Sequence, residues 1–161
     1  VLLPDMLSRG CMQQMLATYE RHGGNVIAVE EVAPEETHQY GIVSVGETYG
    51  QSFQITGMVE KPKQGTAPSN FIISGRYILQ PEIFGILEHG KKGAGGEIQL
   101  TDAMIDLMES QDFFGMHYEG RTYDTGSKLG FLTANLAYAL EREDLAGPLR
   151  SEIAKLLKEQ G

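Results

Sequence analysis

The sequence predicts an α/β layered fold with a mixed sheet, and three observations support that prediction. Apolar runs typical of strands alternate with segments whose apolar residues recur at helical spacing. Residues 42–79 show little helical pattern, so we expect some strands there to pair in antiparallel order. The chain has 161 residues, of which 41% are hydrophobic. This is enough for one domain with a substantial core.

Helical spacing of apolar residues predicts the helices. The first covers residues 11–21 and ends at Gly23 and Gly24, because glycine readily adopts the left-handed backbone conformation at a helix terminus. Proline fits the first turn of a helix, and serine or threonine caps it. These signals predict a short turn of helix at Pro34 and helices that open at Pro81, Thr101, Ser127 and Pro148.

Apolar and alternating runs predict the strands. Residues 26–32 form a continuous apolar-rich run, which is typical of a strand covered on both faces. Residues 1–5, Val-Leu-Leu-Pro-Asp, resemble the tail of a buried strand at its carboxyl end. We therefore expect the C-terminal part of a longer protein, the alternative being a processed or unusually cut terminus. The other predicted strands cover residues 42–43, 53–59, 71–79 and 113–118.

The charge balance limits the partners. Lys and Arg number 13 against 22 Asp and Glu, which gives a net charge of −9. Such a chain has no cationic excess to neutralise a nucleic acid or an acidic membrane, although a small phosphorylated ligand needs only one or two local cations. The single cysteine, Cys11, excludes an internal disulfide and favours a reducing compartment, so we expect a cytoplasmic protein. No apolar run approaches the ~18 residues of a membrane span.

Ligands of open α/β sheets bind at the carboxyl ends of strands, and this rule selects the candidate carboxylates. Asp5 follows the first apolar run on a stiff Pro4 exit, which suits an Mg²⁺ ligand, whereas an ordinary turn residue is the alternative. Asp124 follows an aromatic stretch and precedes the helix start at Ser127, where it is either a second metal ligand or a cap.

A second candidate group lies at the end of the strand at 53–59. Glu60 can accept hydrogen bonds from sugar hydroxyls and Lys61 can pair with a phosphate, but extended neighbours point to opposite sides, so the strand must end or bend there. Pro62 favours an extended Lys61. A plain charged strand end is the alternative. Gly41 at a strand start allows a ligand close to the backbone, or it is a simple turn position.

Three further features carry less chemistry. Residues 91–97, Lys-Lys-Gly-Ala-Gly-Gly-Glu, lack the spacing of a phosphate-binding loop, and we interpret them as a flexible loop. The four histidines have no zinc-ligand spacing, and Cys11 has no recognisable nucleophile context.

Eight segments together carry a resemblance that none carries alone. They are VLLPD at 1–5, GNVIAVEE at 24–31, YGIV at 40–43, VEKP at 59–62, APSN at 67–70, GRYIL at 75–79, GEIQLTDA at 96–103 and YDTGSK at 123–128. In this order they resemble the bacterial UTP–glucose-1-phosphate uridylyltransferase (UDP-glucose pyrophosphorylase) family over residues 1–142, within the wider sugar-nucleotide pyrophosphorylases.

The resemblance implies a fold, a reaction and a site. The fold is a three-layer α/β/α sandwich with a mixed, mostly parallel sheet. The reaction joins UTP and glucose 1-phosphate to give UDP-glucose and pyrophosphate with Mg²⁺. By resemblance, Asp5 and Asp124 are the metal carboxylates. Gly41 and Glu60 hold the glucose, Lys61 binds the sugar phosphate, and Gly75 lies in the next strand on the sugar side.

The sequence also departs from the family. It contains no GGxGTRxxP segment, the loop that grips the nucleotide, so we expect residues 1–142 to hold the sugar-phosphate side and the metal ligands. Residues 143–161 are a C-terminal helix and a candidate interface. Without that loop we expect negligible turnover from these 161 residues alone and an exposed sheet edge, which self-association would cover.

Two other functions stay open. One is a glucose-1-phosphate thymidylyltransferase that uses dTTP, because the base-recognising residues lie mostly upstream in the family. The other is a non-catalytic sugar-phosphate-binding protein.

Overall fold

Seven strands and five α-helices, with one 3₁₀ helix, make up the described chain. The computed structural model describes residues 1–89 and 99–159. In chain order the elements are β1 (Met6–Ser8), α1 (Cys11–His22), β2 (Asn25–Glu31), the 3₁₀ helix (Pro34–Gln39), β3 (Gly41–Tyr49), β4 (Ser52–Glu60), β5 (Phe71–Ile78), α2 (Glu82–His89), α3 (Leu100–Met108), β6 (Phe113–His117), β7 (Thr122–Asp124), α4 (Lys128–Leu140) and α5 (Glu143–Glu159). No helix within these described ranges is both long and apolar enough to cross a lipid bilayer.

The chain forms two compact units. The first comprises Val1–Leu3 and the described residues of Arg9–Gly120, and the second comprises Pro4–Ser8 and the described residues from Arg121 onward. The first unit contains the five-stranded sheet with α1, α2 and α3. The second contains β1, β7, α4 and α5. The boundary expected between residues 142 and 143 stays a prediction.

The sheet of the first unit is mixed, as predicted. β2 pairs in parallel with β6 and in antiparallel with β5, while β4 pairs in antiparallel with β3 and β6. One further pairing, between β3 and β5, completes a closed ring in the order β2-β5-β3-β4-β6. Among the described strands β2–β6 is the one parallel pair, so the expectation of a mostly parallel sheet is wrong. The short turn at Gly50 and Gln51 joins β3 to β4, and a connection this short permits only antiparallel neighbours.

Helices cover both faces of β2, which confirms the predicted α/β class and its layers. Val26 and Ala28 are fully buried against a cluster that includes Cys11 and Met15 of α1. The alternate residues of β2, Ile27 and Val29, belong to the cluster that contains Ile83 of α2 and Ala103, Met104 and Leu107 of α3. Because successive strand residues point to opposite faces, the run at 26–29 is apolar throughout.

Gly115 in β6 lies directly against an aromatic ring, and this contact makes a stability prediction. A Cβ at Gly115 would stand 2.5 Å from the Phe53 ring, which is 4% exposed. We expect Gly115→Ala to lower the free energy of unfolding by about 1–3 kcal/mol, because the buried ring must move. Gly85→Ala in α2 is the control: nothing lies within 4 Å of its Cβ position, so we expect no loss of stability. Equal urea midpoints for the two variants would contradict this account.

Residues 1–3 are extended but not buried. Leu3 N–H donates to the Gly75 carbonyl at 2.9 Å, and Leu2 forms a bridge with Arg76 of β5. The side chains of residues 1–3 are 40–58% exposed. The predicted strand pairing is therefore present, whereas the predicted burial is wrong, because the described elements do not cover these three side chains.

Two helix starts differ from prediction. α3 begins at Leu100 with Gln99 at its N-cap, so Thr101 lies inside the helix and does not cap it. α5 begins at Glu143 and contains Pro148 in its interior, where proline removes one intrahelical hydrogen bond. The acidic first turn of α5 favours the earlier start. The Arg142 guanidinium donates to both carboxylate oxygens of Asp144 at 3.0 and 2.8 Å and lowers the pKa of Asp144.

In the second unit, α4 has the predicted serine cap, but its apolar face is exposed. Ser127 Oγ accepts a hydrogen bond from the Gly130 N–H at 3.0 Å and caps α4, as predicted. Leu129, Leu132 and Leu136 share one side of α4 and are 77%, 60% and 41% exposed. β1 and β7 pair in antiparallel register, with Met6 opposite Asp124.

Candidate functional site

The second unit brings Asp5 and Asp124 together from distant parts of the chain. The Met6–Asp124 register puts the two aspartates at neighbouring positions of the β1–β7 ribbon. Their carboxylates converge at Gly126. Asp124 Oδ1 lies 3.0 Å and Asp5 Oδ2 lies 3.7 Å from the point where a Cβ of Gly126 would stand. Both aspartates are exposed, so a ligand can reach the two oxygens.

Backbone contacts hold this pair in place. The Asp5 carbonyl accepts hydrogen bonds from Thr125 N–H at 2.6 Å and from Thr125 Oγ1 at 3.0 Å. Asp124 Oδ1 accepts from the Gly126 N–H at 2.9 Å. Because the contacts to Asp5 use its main chain, its carboxylate remains available for a ligand.

The donor set suits a hard divalent cation. Within residues 1–89 and 99–159, no group of three or more His, Cys, Asp or Glu side chains is arranged to hold a metal ion. Two carboxylate oxygens near one point are nevertheless what Mg²⁺ commonly takes from a protein, since water and substrate phosphates complete its octahedral shell. The chemistry of Asp5 and Asp124 therefore fits an Mg²⁺ ion.

In the first unit, Gly41 and Glu60 face each other across the β3–β4 pair. They are directly opposite in the register, and Glu60 Oε2 lies 3.0 Å from the Cβ position of Gly41. A side chain at residue 41 would press on the carboxylate and on Ile73 Cδ1, which is 3.1 Å from the same point. The glycine thus leaves the space that the carboxylate occupies.

The backbone bends at Lys61 and does not adopt the extended conformation that Pro62 favours. β4 ends at Glu60, and Lys61 has φ of 43°, the one positive φ outside glycine among the described residues. Its N–H donates to the Tyr40 carbonyl at 3.1 Å, which holds the turn. The strand ends and the chain bends after Glu60, which is the condition for Glu60 and Lys61 to reach one ligand. The extended Lys61 that Pro62 favours is wrong, because the backbone turns at Lys61 and its N–H is bonded to Tyr40. The Lys61 side chain is exposed.

Thr101 is a residue of this neighbourhood that sequence analysis assigned differently. Its hydroxyl donates to Glu60 Oε2 at 3.0 Å, although the sequence pattern predicted a helix cap. A threonine at a helix start predicted a cap, and the structure does place the Thr101 hydroxyl in the first turn of α3. The hydrogen-bond partner of that hydroxyl is Glu60, 41 residues away in sequence, which the sequence pattern does not show.

Gly75 has a different neighbour from the other sugar-side candidates. Its φ is +73°, and the three atoms nearest its Cβ position all belong to Leu3, the closest at 2.9 Å. The structure explains this glycine by backbone conformation and by the approach of Leu3, and its sugar-side role stays a prediction. The glycine-rich segment at 91–97 lies outside the described residues.

The mixed sheet with helices on both faces defines an α/β protein with a carboxylate pair suited to a divalent cation, and the comparison with family models gives its family. Residues 1–141 match the family described as nucleotidyl transferase, and the chain belongs to that family.

The relatives are more particular. The chain is 44% identical over 149 residues to the UTP–glucose-1-phosphate uridylyltransferase of Bacillus subtilis, which covers 92% of the chain and 51% of that protein. The chain thus spans about half the length of the curated relatives that it matches.

Solved structures give the same fold. A UDP-glucose pyrophosphorylase complexed with UDP-glucose is 37% identical with a TM-score of 0.80, over 88% of this chain and 56% of that one. The UTP-bound UDP-glucose pyrophosphorylase of Acinetobacter baumannii is also 37% identical, with a TM-score of 0.84 over 97% of this chain and 55% of that one.

Proposed function

We propose that this chain carries the metal-binding and sugar-phosphate-binding parts of a UTP–glucose-1-phosphate uridylyltransferase. The observation that supports this most strongly is the convergence of Asp5 and Asp124 at Gly126. The Gly126 N–H accounts for one oxygen of Asp124, whereas a shared cation next to phosphates accounts for two carboxylates at one point. The names of the matched relatives favour the uridylyl reaction over the thymidylyl alternative.

In the proposed reaction, a phosphate oxygen of glucose 1-phosphate attacks the α-phosphorus of UTP. The new P–O bond forms as the bond between the α-phosphorus and the bridging oxygen breaks, and pyrophosphate leaves with that oxygen. No covalent intermediate with the protein is required, so the residues act by positioning and by charge.

Each candidate residue has a distinct part in this proposal. Glu60 accepts hydrogen bonds from glucose hydroxyls, and Gly41 leaves room for the sugar near the backbone. Lys61 pairs with the phosphate of the sugar and reduces its repulsion from the triphosphate. Asp5 and Asp124 would hold Mg²⁺, which when bound neutralises phosphate charge and orients the reacting groups.

The proposal also includes a cytoplasmic location and self-association of the protein. The exposed leucines of α4 support self-association.

Calorimetry on the 161-residue chain tests the sugar-phosphate part. We expect heat of binding with glucose 1-phosphate and with UDP-glucose, and none with glucose 6-phosphate. The last carries the same groups with its phosphate on another carbon, so it is a matched control. Equal affinity for glucose 1-phosphate and glucose 6-phosphate would contradict the proposal, and so would a failure to bind glucose 1-phosphate.

A turnover assay tests the enzymatic part. Because the 161 residues contain no GGxGTRxxP loop, we expect negligible UDP-glucose synthesis from them alone. We expect synthesis when the loop is present in the same polypeptide. Ordinary turnover by the 161 residues alone would contradict the expectation that synthesis requires the loop. Binding without turnover in the loop-containing protein would favour the non-catalytic alternative.

A further inference from the structure

One oxygen of the Glu60 carboxylate accepts a hydrogen bond from a side chain of another element. Oε2 accepts from Thr101 Oγ1 at 3.0 Å. The same oxygen lies 3.0 Å from the point where a Cβ of Gly41 would stand, so the missing side chain of Gly41 leaves room for this arrangement. The Thr101 hydroxyl therefore orients the carboxylate through Oε2.

Thr101 has a rigid support. It is the second residue of α3, and the following residues Ala103, Met104 and Leu107 are buried in the main core of the first unit. Glu60, in contrast, is the last residue of β4, and the chain turns sharply at Lys61. A long carboxylate side chain at a strand end has several rotamers of similar energy, and a fixed hydroxyl donor selects one of them.

We infer that Thr101 is a positioning residue for sugar recognition, a role that rests on the proposed function of Glu60. The threonine hydroxyl holds Oε2 and thereby aims Oε1 at a hydroxyl of the glucosyl group. Thr101 acts through Glu60 and need not contact the sugar itself. Pre-orienting the acceptor lowers the entropic cost of binding, because the carboxylate is already fixed before the ligand arrives.

Two substitutions at this position separate the hydroxyl from the shape of the side chain. Thr101→Val keeps the branched volume and removes the donor, and Thr101→Ser keeps the donor. We expect Thr101→Val to weaken the affinity for glucose 1-phosphate about tenfold, since the lost hydrogen bond is to a charged group. We expect Thr101→Ser to stay within about twofold of the wild type. Thr48→Val, on an exposed β3 position, is the control for a generic loss of a threonine hydroxyl.

A double-mutant cycle distinguishes positioning from a direct or a purely structural role. If Thr101 acts through Glu60, Thr101→Val in a Glu60→Ala background produces no further loss of affinity. The same tenfold loss in that background, or unchanged affinity after Thr101→Val alone, would overturn the inference.

A ligand-free readout keeps the inference testable if the proposed function fails. We expect the carboxyl-carbon NMR signal of Glu60 at neutral pH to move in Thr101→Val and to keep its wild-type position in Thr101→Ser. Failure of the wild type to bind glucose 1-phosphate would overturn the proposed function and the sugar role of Thr101 together. An unmoved Glu60 signal in Thr101→Val would overturn the positioning of Glu60 by Thr101 alone.

Discussion

Replacing Asp5 or Asp124 by Ala or Asn should lower UDP-glucose synthesis by about 10²–10³-fold in a polypeptide that also carries the nucleotide loop. Each aspartate supplies one of two oxygens that lie within 4 Å of a single point at Gly126. Removing either leaves a single carboxylate, which holds a divalent cation much less tightly. The two substitutions should act on the same step, so the double variant should be scarcely worse than either single one.

The fold should survive these changes. Thr125 contacts the carbonyl of Asp5 and not its carboxylate, and both aspartates are exposed. Asp124→Ala also removes the hydrogen bond from the Gly126 N–H, but Asp124→Asn keeps an oxygen that can accept it. Asp106→Asn, on an exposed position of α3, is the control for a simple change in net charge.

A readout that needs no turnover is the broadening of the Gly126 amide NMR signal by Mn²⁺. We expect broadening in the wild type and in Asp106→Asn, and its loss in the Asp5 and Asp124 variants. Broadening that persists in those variants would place the cation elsewhere.

Much of the first unit follows from local sequence pattern. The apolar-rich run at 26–32 predicted a strand covered on both faces, and helices do cover both faces of β2. The glycine pair at 23 and 24 predicted the end of α1, and both residues have positive φ. These features were predictable because periodicity and glycine conformation act within a few residues.

The parts that were wrong depend on contacts distant in sequence. Thr101 has the residue type of a helix cap, yet its hydroxyl partner lies on β4. The β1–β7 ribbon was not predicted, because two strands of three residues carry too little pattern to be seen. Its pairing nevertheless decides that Asp5 and Asp124 meet. The sequence selected both aspartates by their positions after apolar or aromatic stretches and by resemblance, whereas the fold shows that they meet.

Lys61→Ala should raise the glucose 1-phosphate concentration needed for half-maximal synthesis by about 10–100-fold and change that for UTP much less. The reason is the loss of an ammonium group that pairs with the phosphate of the sugar. The Lys61 side chain is exposed and forms no ion pair with another residue of 1–89 or 99–159, so no carboxylate in these ranges competes for its charge. An unchanged dependence on glucose 1-phosphate would remove Lys61 from this role.

Lys61→Gly separates the charge of this residue from the strain of its backbone. At φ of 43°, any residue with a Cβ is in the left-handed region, which costs about 1–2 kcal/mol, and glycine avoids that cost. Glycine also gains freedom in the unfolded chain, which offsets part of the relief. We therefore expect Lys61→Gly to unfold at a higher urea concentration than Lys61→Ala, although both variants lose the same affinity for glucose 1-phosphate. Equal stability of the two would mean that residue 61 leaves the left-handed conformation when the lysine is removed. If the charge of Lys61 serves binding, a lysine is expected here even though glycine would be less strained at this backbone conformation.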